Sequence, residues 1–339
     1  MDATVSTRIL SNRITCLLAG IALIFAACKP EENFEGPSLE DQYGPFEIIQ
    51  NLAVSTDSLN ASTGEVATIS AAFNKNVNWT LQITGANSGG KYIETGYSLN
   101  PVIEWNGSAS LLPMFQVEDC YLEMTIKNQT DTLRDTITLS SVKPQQGFLL
   151  ADFESGLNSS WVVFAQTGAN MSFVVSDDLQ AAQGNRYYDM AGEVSWDWLI
   201  GMIDMPASAY GSSHFPLNAN PDEVYFNTFL FKPEDITNGI MLLQFREDDN
   251  GDGVYSNNEE DMFSVEIRPN ADGWKHYYYK YSELATLING APSGAIGNGL
   301  HEPDKLIQVS ILYLANPSSG YSKCLIDNLV FTEGQPLVP

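Results

Sequence analysis

Short runs that alternate apolar and polar residues, each closed by a turn signal, fill the chain from Phe46 to Phe331. In Val77–Ile83 the side chains of Val77, Trp79, Leu81 and Ile83 fall on one face, with Asn78, Thr80 and Gln82 on the other. A period of two marks a strand buried on one side. Leu122, Met124 and Ile126 alternate with Tyr121, Glu123 and Thr125 in the same way. Clusters such as Ala86-Asn87-Ser88-Gly89-Gly90 and Asn106-Gly107-Ser108 supply the turns. The pattern predicts an all-β chain, with one short helix over Ser282 to Ile288, capped by Ser282.

A polar stretch, Lys143-Pro144-Gln145-Gln146-Gly147, divides the pattern in two. Residues 46–144 are expected to form a first β-sandwich. Residues 147–334 are expected to form a larger jelly-roll sandwich. Of the 339 residues 44% are hydrophobic and 11% aromatic, which is enough apolar material for packed cores. Cys120 and Cys324 lie in apolar runs on opposite sides of the division, and are expected as separate buried thiols. Lys and Arg number 16 against 42 Asp and Glu, a net charge of −26 that repels phosphate backbones and argues against a nucleic-acid partner. There is no CxxC, HExxH or G-x-S-x-G, and His214, His276 and His301 are scattered, so the sequence assigns no catalytic residue.

Arg8 and Arg13 precede an uncharged run, Ile14 to Ala27, that ends Ala26-Ala27-Cys28. A basic region, an apolar region and a small-residue ending make a secretory signal. The run falls short of the ~20 apolar residues that span a bilayer as a helix. Its ending resembles a bacterial lipobox, which implies that residues 1–27 are a lipoprotein signal peptide and that Cys28 is lipidated. Residues 28–45, rich in acids, Pro and Gly, read as an acidic flexible tether. Lys29-Pro30-Glu31-Glu32 resembles the export signal of Bacteroidota-type surface lipoproteins. That implies a lipid anchor in the outer membrane and a location facing the cell exterior.

The segment Asp248-Asp249-Asn250-Gly251-Asp252-Gly253-Val254-Tyr255-Ser256-Asn257-Asn258-Glu259 matches D-x-[DN]-x-[DN]-G-x₅-E at every specified position. Asp248, Asn250 and Asp252 place hard oxygen donors at positions 1, 3 and 5. Val254 offers a carbonyl, Ser256 takes position 9, and Glu259 takes the closing bidentate position, where Glu260 or Asp261 could replace it. The flanking runs read as strands, so the expectation is a structural Ca²⁺ in a stapled hairpin rather than an EF-hand sensor. The competing reading is a plain acidic turn.

Two resemblances follow from particular residues. Asn78-Trp79-Thr80-Leu81 together with Ile103-Glu104-Trp105-Asn106-Gly107 resembles the Ig-like modules of secreted bacterial proteins, in which both Trp are core. Leu150-Ala151-Asp152-Phe153-Glu154 and Trp161 at one end, and Ile326-Asp327-Asn328-Leu329-Val330-Phe331 at the other, resemble the galactose-binding-like sandwich of many carbohydrate-binding modules. The second resemblance implies that the first and last strands meet and that Asp152, Glu154 and Asp327 hold a structural Ca²⁺. On their residue type alone these acids could equally face solvent. It further implies that Trp161, Trp198 and Trp274 are core.

Sugar faces stack on aromatic rings, and polar side chains bond the hydroxyls. Trp196, Tyr210, Tyr255 and Tyr278 are the expected ligand-binding aromatics. Trp196 and Trp198 would share a face if their segment were a strand. Address, first sandwich and second sandwich together resemble the surface glycan-binding lipoproteins of polysaccharide-utilisation systems. They imply a non-catalytic, calcium-stabilised protein that binds a polysaccharide or oligosaccharide, with an outer-membrane glycan transporter as a partner. The alternatives are an adhesion or structural protein that binds another protein, and a jelly-roll glycoside hydrolase or lyase.

Overall fold

The computed structural model describes residues 44–288 and 290–339. The expectations for the signal peptide at 1–27, for Cys28 and for all but the last two residues of the tether lie outside the described residues. Residues 49–339 form one compact unit.

The fold is all-β. The first half carries β1 (Ile48–Val54), β2 (Ser58–Asn60), β3 (Ala67–Phe73), β4 (Val77–Gly85), β5 (Lys91–Ser98), β6 (Val102–Trp105), β7 (Glu118–Ile126) and β8 (Thr132–Ser141). One sheet has the order β1-β3-β6 and the other β2-β8-β7-β4-β5. Each sheet buries one face. Ile69, Phe73, Ile103 and Trp105 come from the first, and Trp79, Leu81, Leu122, Met124 and Leu139 from the second. The alternation read from the sequence is the physical cause, because one side of each strand is apolar.

The second half carries β9 (Phe148–Ala151), β10 (Val162–Ala165), β11 (Ala169–Ser176), β12 (Tyr187–Glu193), β13 (Leu199–Pro206), β14 (Val224–Lys232) and β15 (Gly239–Glu247). These are followed by β16 (Met262–Ile267), β17 (Gly273–Lys280), β18 (Leu287–Ile288), β19 (Ala291–Pro292), β20 (Leu306–Ala315) and β21 (Ser322–Glu333). A sheet of order β11-β12-β21-β14-β17, with β9 added against β21, faces a sheet of order β10-β13-β20-β15-β16. The first and last strands do meet: Ala151 pairs with Leu329 and Phe148 with Phe331. Between the sheets lies a core that includes Phe153, Tyr188, Phe226, Met241, Phe245, Ile311, Tyr313, Ile326 and Phe331.

The predicted helix over Ser282–Ile288 is absent. Tyr281–Glu283 form a single 3₁₀ turn, and Leu284 is already extended. Ala285 then exchanges two backbone hydrogen bonds with Ser264 (2.7 and 3.3 Å), so pairing with a neighbouring strand outcompetes a helix too short to hold itself.

The two faces of the six-stranded sheet have different neighbours. Alternate residues Tyr187, Phe229, Trp274, Leu325 and Val330 point away from the main core and are still buried. They are covered by Ala181, Ala182 and Leu337, and by Leu112 and Met114 from the first sandwich. Backbone bonds fasten the contact. Met114 N–H donates to Ala182 O (2.7 Å) and Ala109 N–H to Pro339 O (2.9 Å), while Lys143 Nζ bonds Ser108 Oγ and Val338 O. Gly147 lies where the chain passes between the sandwiches. Its φ is +67°, and a Cβ there would lie 1.9 Å from the Phe331 carbonyl oxygen, so only glycine fits. Cys120 and Cys324 are free and buried, as their apolar runs predict.

Candidate functional site

Covering one face leaves the other sheet open. In β13, β15 and β20 the inward residues are Ile203, Met205, Met241, Leu243, Phe245, Val309 and Ile311. Strand alternation therefore turns Met202, Asp204, Pro206, Leu242, Gln244, Arg246, Gln308, Ser310 and Leu312 outward. The register aligns Asp204 with Ser310 and Ser310 with Gln244, and in the next row Pro206 with Gln308 and Gln308 with Arg246.

A polar network forms on this face. Arg246 Nη1 donates to Ser310 Oγ (3.1 Å) and Nη2 to Gln244 Oε1 (3.3 Å). Gln308 Nε2 donates to Ser310 Oγ (3.1 Å), and Ser310 Oγ donates to Asp204. Arg246 also lies 3.6 Å from Asp204 and sits over the Tyr255 ring, 5.5 Å from its centroid. Tyr255 arrives from the 248–261 loop, which folds over the end of β15. Asp204, Arg246, Gln308 and Tyr255 wall a cleft of about 530 Å³, also lined by Ser208, Val254 and Ile307. At the other end of the sheet a second cleft of about 500 Å³ is lined by Trp198, Asn238, Arg268, Asn316 and Tyr321. The six residue steps from Ile240 to Arg246 separate the two by about 20 Å along the strand.

The expected aromatics divide. Tyr255 lines the first cleft. Trp196 is 69% exposed, but Trp196-Asp197-Trp198 is a loop rather than a strand, bent by the Asp197 carboxylate accepting from Trp198 N–H (2.6 Å). Trp198 is 49% exposed at the rim of the second cleft, against the expectation that it is core, whereas Trp161 packs on the core and Trp274 is buried. Tyr210 is a correction. Its hydroxyl donates to Leu150 O (2.6 Å), and its ring packs edge-on to Phe148 and against Phe215, so it closes the core and offers no face to a ligand. Tyr278 is exposed on the opposite sheet beside His276, away from both clefts.

The acidic loop is built around Asp248. This buried carboxylate accepts from Gly251 N–H (2.7 Å) and Asp252 N–H (3.0 Å) at Oδ1, and from Gly253 N–H (2.8 Å) at Oδ2. His214 Nε2 lies 3.3 Å from Oδ2. Burial alone would push this carboxyl up, but the backbone donors and His214 hold it below the usual range. The inward closing carboxylate is Glu260, not Glu259. Glu260 is fully buried and accepts from Asn250 N–H and Ser256 N–H (3.3 and 2.6 Å), whereas Glu259 points to solvent. A backbone turn at Ser256, whose carbonyl accepts from both Glu259 and Glu260 N–H, moves the register by one residue. Asp248, Asp252 and Glu260 each bring an oxygen within 4.8 Å of the others. This oxygen-only, acidic donor set fits a hard cation. Asn250, Val254 and Ser256 lie in the same loop, with Asn250 Oδ1 accepting from Asp252 N–H (2.9 Å).

Near the junction of β9 and β21, Glu154 acts electrostatically on Asp327, but Asp152, Glu154 and Asp327 do not converge as one ligand group among the described residues. Glu154 accepts from Asn185 and Arg186 N–H, and Asp327 from Gln183 and Asn328 N–H. Asp327 is fully buried, and burial pushes its carboxyl well above the usual range. Asp152 turns back to accept from Glu154 N–H (3.1 Å). Phe153 and Asn328 both have positive φ (+60° and +47°), so the backbone is strained on both strands here. Buried Asn328 Oδ1 and Gln183 Oε1 have no donor among the described residues.

No protein-family model matches the chain, and no curated protein matches it. Among solved structures, a family 11 carbohydrate-binding module of a cellulosomal cellulase from Clostridium thermocellum is 15% identical, with a TM-score of 0.38, over 57% of this chain and 98% of that one. A surface glycan-binding protein from a xyloglucan utilisation locus of Bacteroides uniformis is 11% identical, with a TM-score of 0.33, over 85% of this chain and 73% of that one. A xylan-binding domain from Paenibacillus barcinonensis is 13% identical, with a TM-score of 0.30, over 54% of this chain and 97% of that one. At these scores the similarity assigns no ligand to this chain.

Proposed function

We propose that this chain binds a polysaccharide or oligosaccharide without cleaving it, across the outer face of the five-stranded sheet. The observation that carries the reading is the contrast between the two sheets. One outer face is largely covered by the first sandwich and the C-terminal segment, with Tyr278 left exposed, whereas the other presents donors, acceptors and a ring in one open cleft. Arg246, Gln308, Gln244 and Asp204 suit sugar hydroxyls, and Tyr255 suits a pyranose face. Among the described residues Asp204 is the single acid lining the cleft, and it is tied to Ser310 and Arg246. A glycoside hydrolase needs a second carboxyl across the scissile bond.

In this reading the first sandwich is Ig-like and the second galactose-binding-like, meeting at residues 144–147. Ca²⁺ in the Asp248 loop, with Glu260 as the closing ligand, fixes Tyr255 against Arg246. Cys28 carries the lipid that places the protein on the outer face of the outer membrane, where a glycan transporter is its partner. The test is calorimetry against a panel of soluble plant, fungal and bacterial polysaccharides. Saturable binding is expected, falling at least tenfold in Arg246→Ala and Tyr255→Ala. Binding unchanged in both variants would move the ligand off this face. Capture of a protein with no glycan response would make the chain an adhesin, and shortened polysaccharide products would make it an enzyme.

A further inference from the structure

We infer that Glu247, Asp249 and Glu302 form a divalent-cation site of their own, back to back with the Asp248 loop. The run Glu247-Asp248-Asp249 leaves β15 extended, so successive side chains point to opposite sides. Asp248 turns toward Asp252 and Glu260. Glu247 and Asp249 turn the other way and meet Glu302, which stands just before a 3₁₀ turn at Pro303–Lys305. Each of the three brings a carboxylate oxygen within 4.8 Å of the other two.

Three acids close together do not make a site, and the independent observation is Glu247 itself. Its side chain is fully buried. Oε1 accepts from the Tyr281 hydroxyl (2.7 Å) and from Glu302 N–H (2.8 Å). Oε2 is buried with no hydrogen-bond partner among the described residues. A cation would satisfy it.

Lys305 pairs with Glu302 (2.8 Å), and Asp249 accepts from Asp261 and Asn298 N–H (2.9 and 3.4 Å), so Glu247 is the member of the three with an oxygen left unpartnered. The loop after β19 closes tightly on the acids: a Cβ on Gly297 would lie 1.9 Å from Asp249 Oδ2, so the backbone there comes as close as glycine allows. The donors are all carboxylate oxygens, which selects a hard cation over zinc or copper.

The site stands whether or not the chain binds a glycan, and its test uses no glycan. The purified full chain is stripped with chelator and titrated with Ca²⁺ alone by calorimetry, and the bound ions are counted by native mass spectrometry. Glu302→Gln and Asp249→Asn are each expected to lose one ion relative to the unaltered chain, or to bind it at least tenfold more weakly. In chelator Asp249→Asn is expected to melt at the same temperature as the unaltered chain or higher, because it removes a like charge from a crowded group, whereas Glu302→Gln also loses the Lys305 ion pair. A purely structural role for the Asp249 carboxylate predicts the opposite, a lower melt. Two variants that bind as many Ca²⁺ ions as the unaltered chain with the same affinity would overturn the inference, as would a chain that takes up no Ca²⁺ at millimolar concentration.

Discussion

Asp248→Asn is the sharpest test of the loop beside the cleft. The carboxylate makes three backbone hydrogen bonds and faces His214, with no solvent exposure of its side chain. The amide keeps the oxygen that accepts from Gly251 and Asp252. It places an NH₂ where Gly253 N–H and His214 expect an acceptor, so two contacts fail and one donor is left buried. A hydrogen bond to a charged group is worth about 1.5–3 kcal/mol net, and an unsatisfied buried group costs about 1–3 kcal/mol. Because the losses overlap, the expected total is about 2–4 kcal/mol. For a unit of this size that lowers the melting temperature by roughly 4–12 °C. The assay is calorimetric melting in chelator, repeated in millimolar Ca²⁺. In chelator the variant should show the full drop. With Ca²⁺ the gap should widen, because the unaltered chain gains stability by mass action while the variant has lost a ligand. A variant that melts within a degree of the unaltered chain in chelator would refute the hydrogen-bond reasoning. An equal rise of both proteins with Ca²⁺ would refute the ligand role of Asp248.

Other outcomes are expected. Tyr210→Phe should cost about 1 kcal/mol of stability by denaturant unfolding, through loss of the bond to Leu150 O, and leave glycan affinity unchanged. Burial pushes His276 down to about 4, so between pH 6.5 and 4 the unfolded chain takes up a proton that the folded chain refuses. Stability should therefore fall with acidification by up to about 3 kcal/mol from this group, and the difference between the unaltered chain and His276→Gln, measured at pH 7 and pH 4, isolates it. Gly147→Ala should fail to fold or should lose the junction of the sandwiches, read as a new protease-sensitive site near residue 147, since φ and the Phe331 carbonyl both exclude a side chain. Cys120 and Cys324 are buried, and burial pushes both thiols up to about 12, so a disulfide reagent should label neither until denaturant is added.

The strands were legible because each has its own period. Trp79, Leu81 and Ile83 are buried at the alternate positions their spacing names. The same alternation in Gly239–Glu247 turns Gln244 and Arg246 outward, two polar groups on a central strand whose signal lies in charge and amide rather than in aromatic rings. The misreadings depend on tertiary neighbours that a local pattern does not contain. Tyr210 is core because Phe148, Phe215 and the Leu150 carbonyl surround it, and none of these is encoded in the Ser/Gly-rich loop where it lies. Trp198 is exposed because its segment is a loop at the sheet's rim. The choice of Glu260 over Glu259 is set by one backbone turn, a shift of a single residue inside a motif whose spacing tolerates it. Glu247 and Glu302 are far apart in sequence, and only the approach of the loop after β19 brings them together.

The six-stranded sheet is assembled in an order that the chain cannot follow as it emerges. Its middle strand is β21, near the end of the sequence, and β21 pairs with β9, β12 and β14 from far upstream. Until Ser322–Glu333 is present, those strands have no shared partner and their apolar faces have nothing to close against. Every pairing that completes the sheet bridges a long stretch of chain, so closure carries a large entropic cost before any contact rewards it. The second sandwich should therefore fold late, slowly and as a whole. Partly made chains should expose unpaired strand edges, the species on which chaperones act.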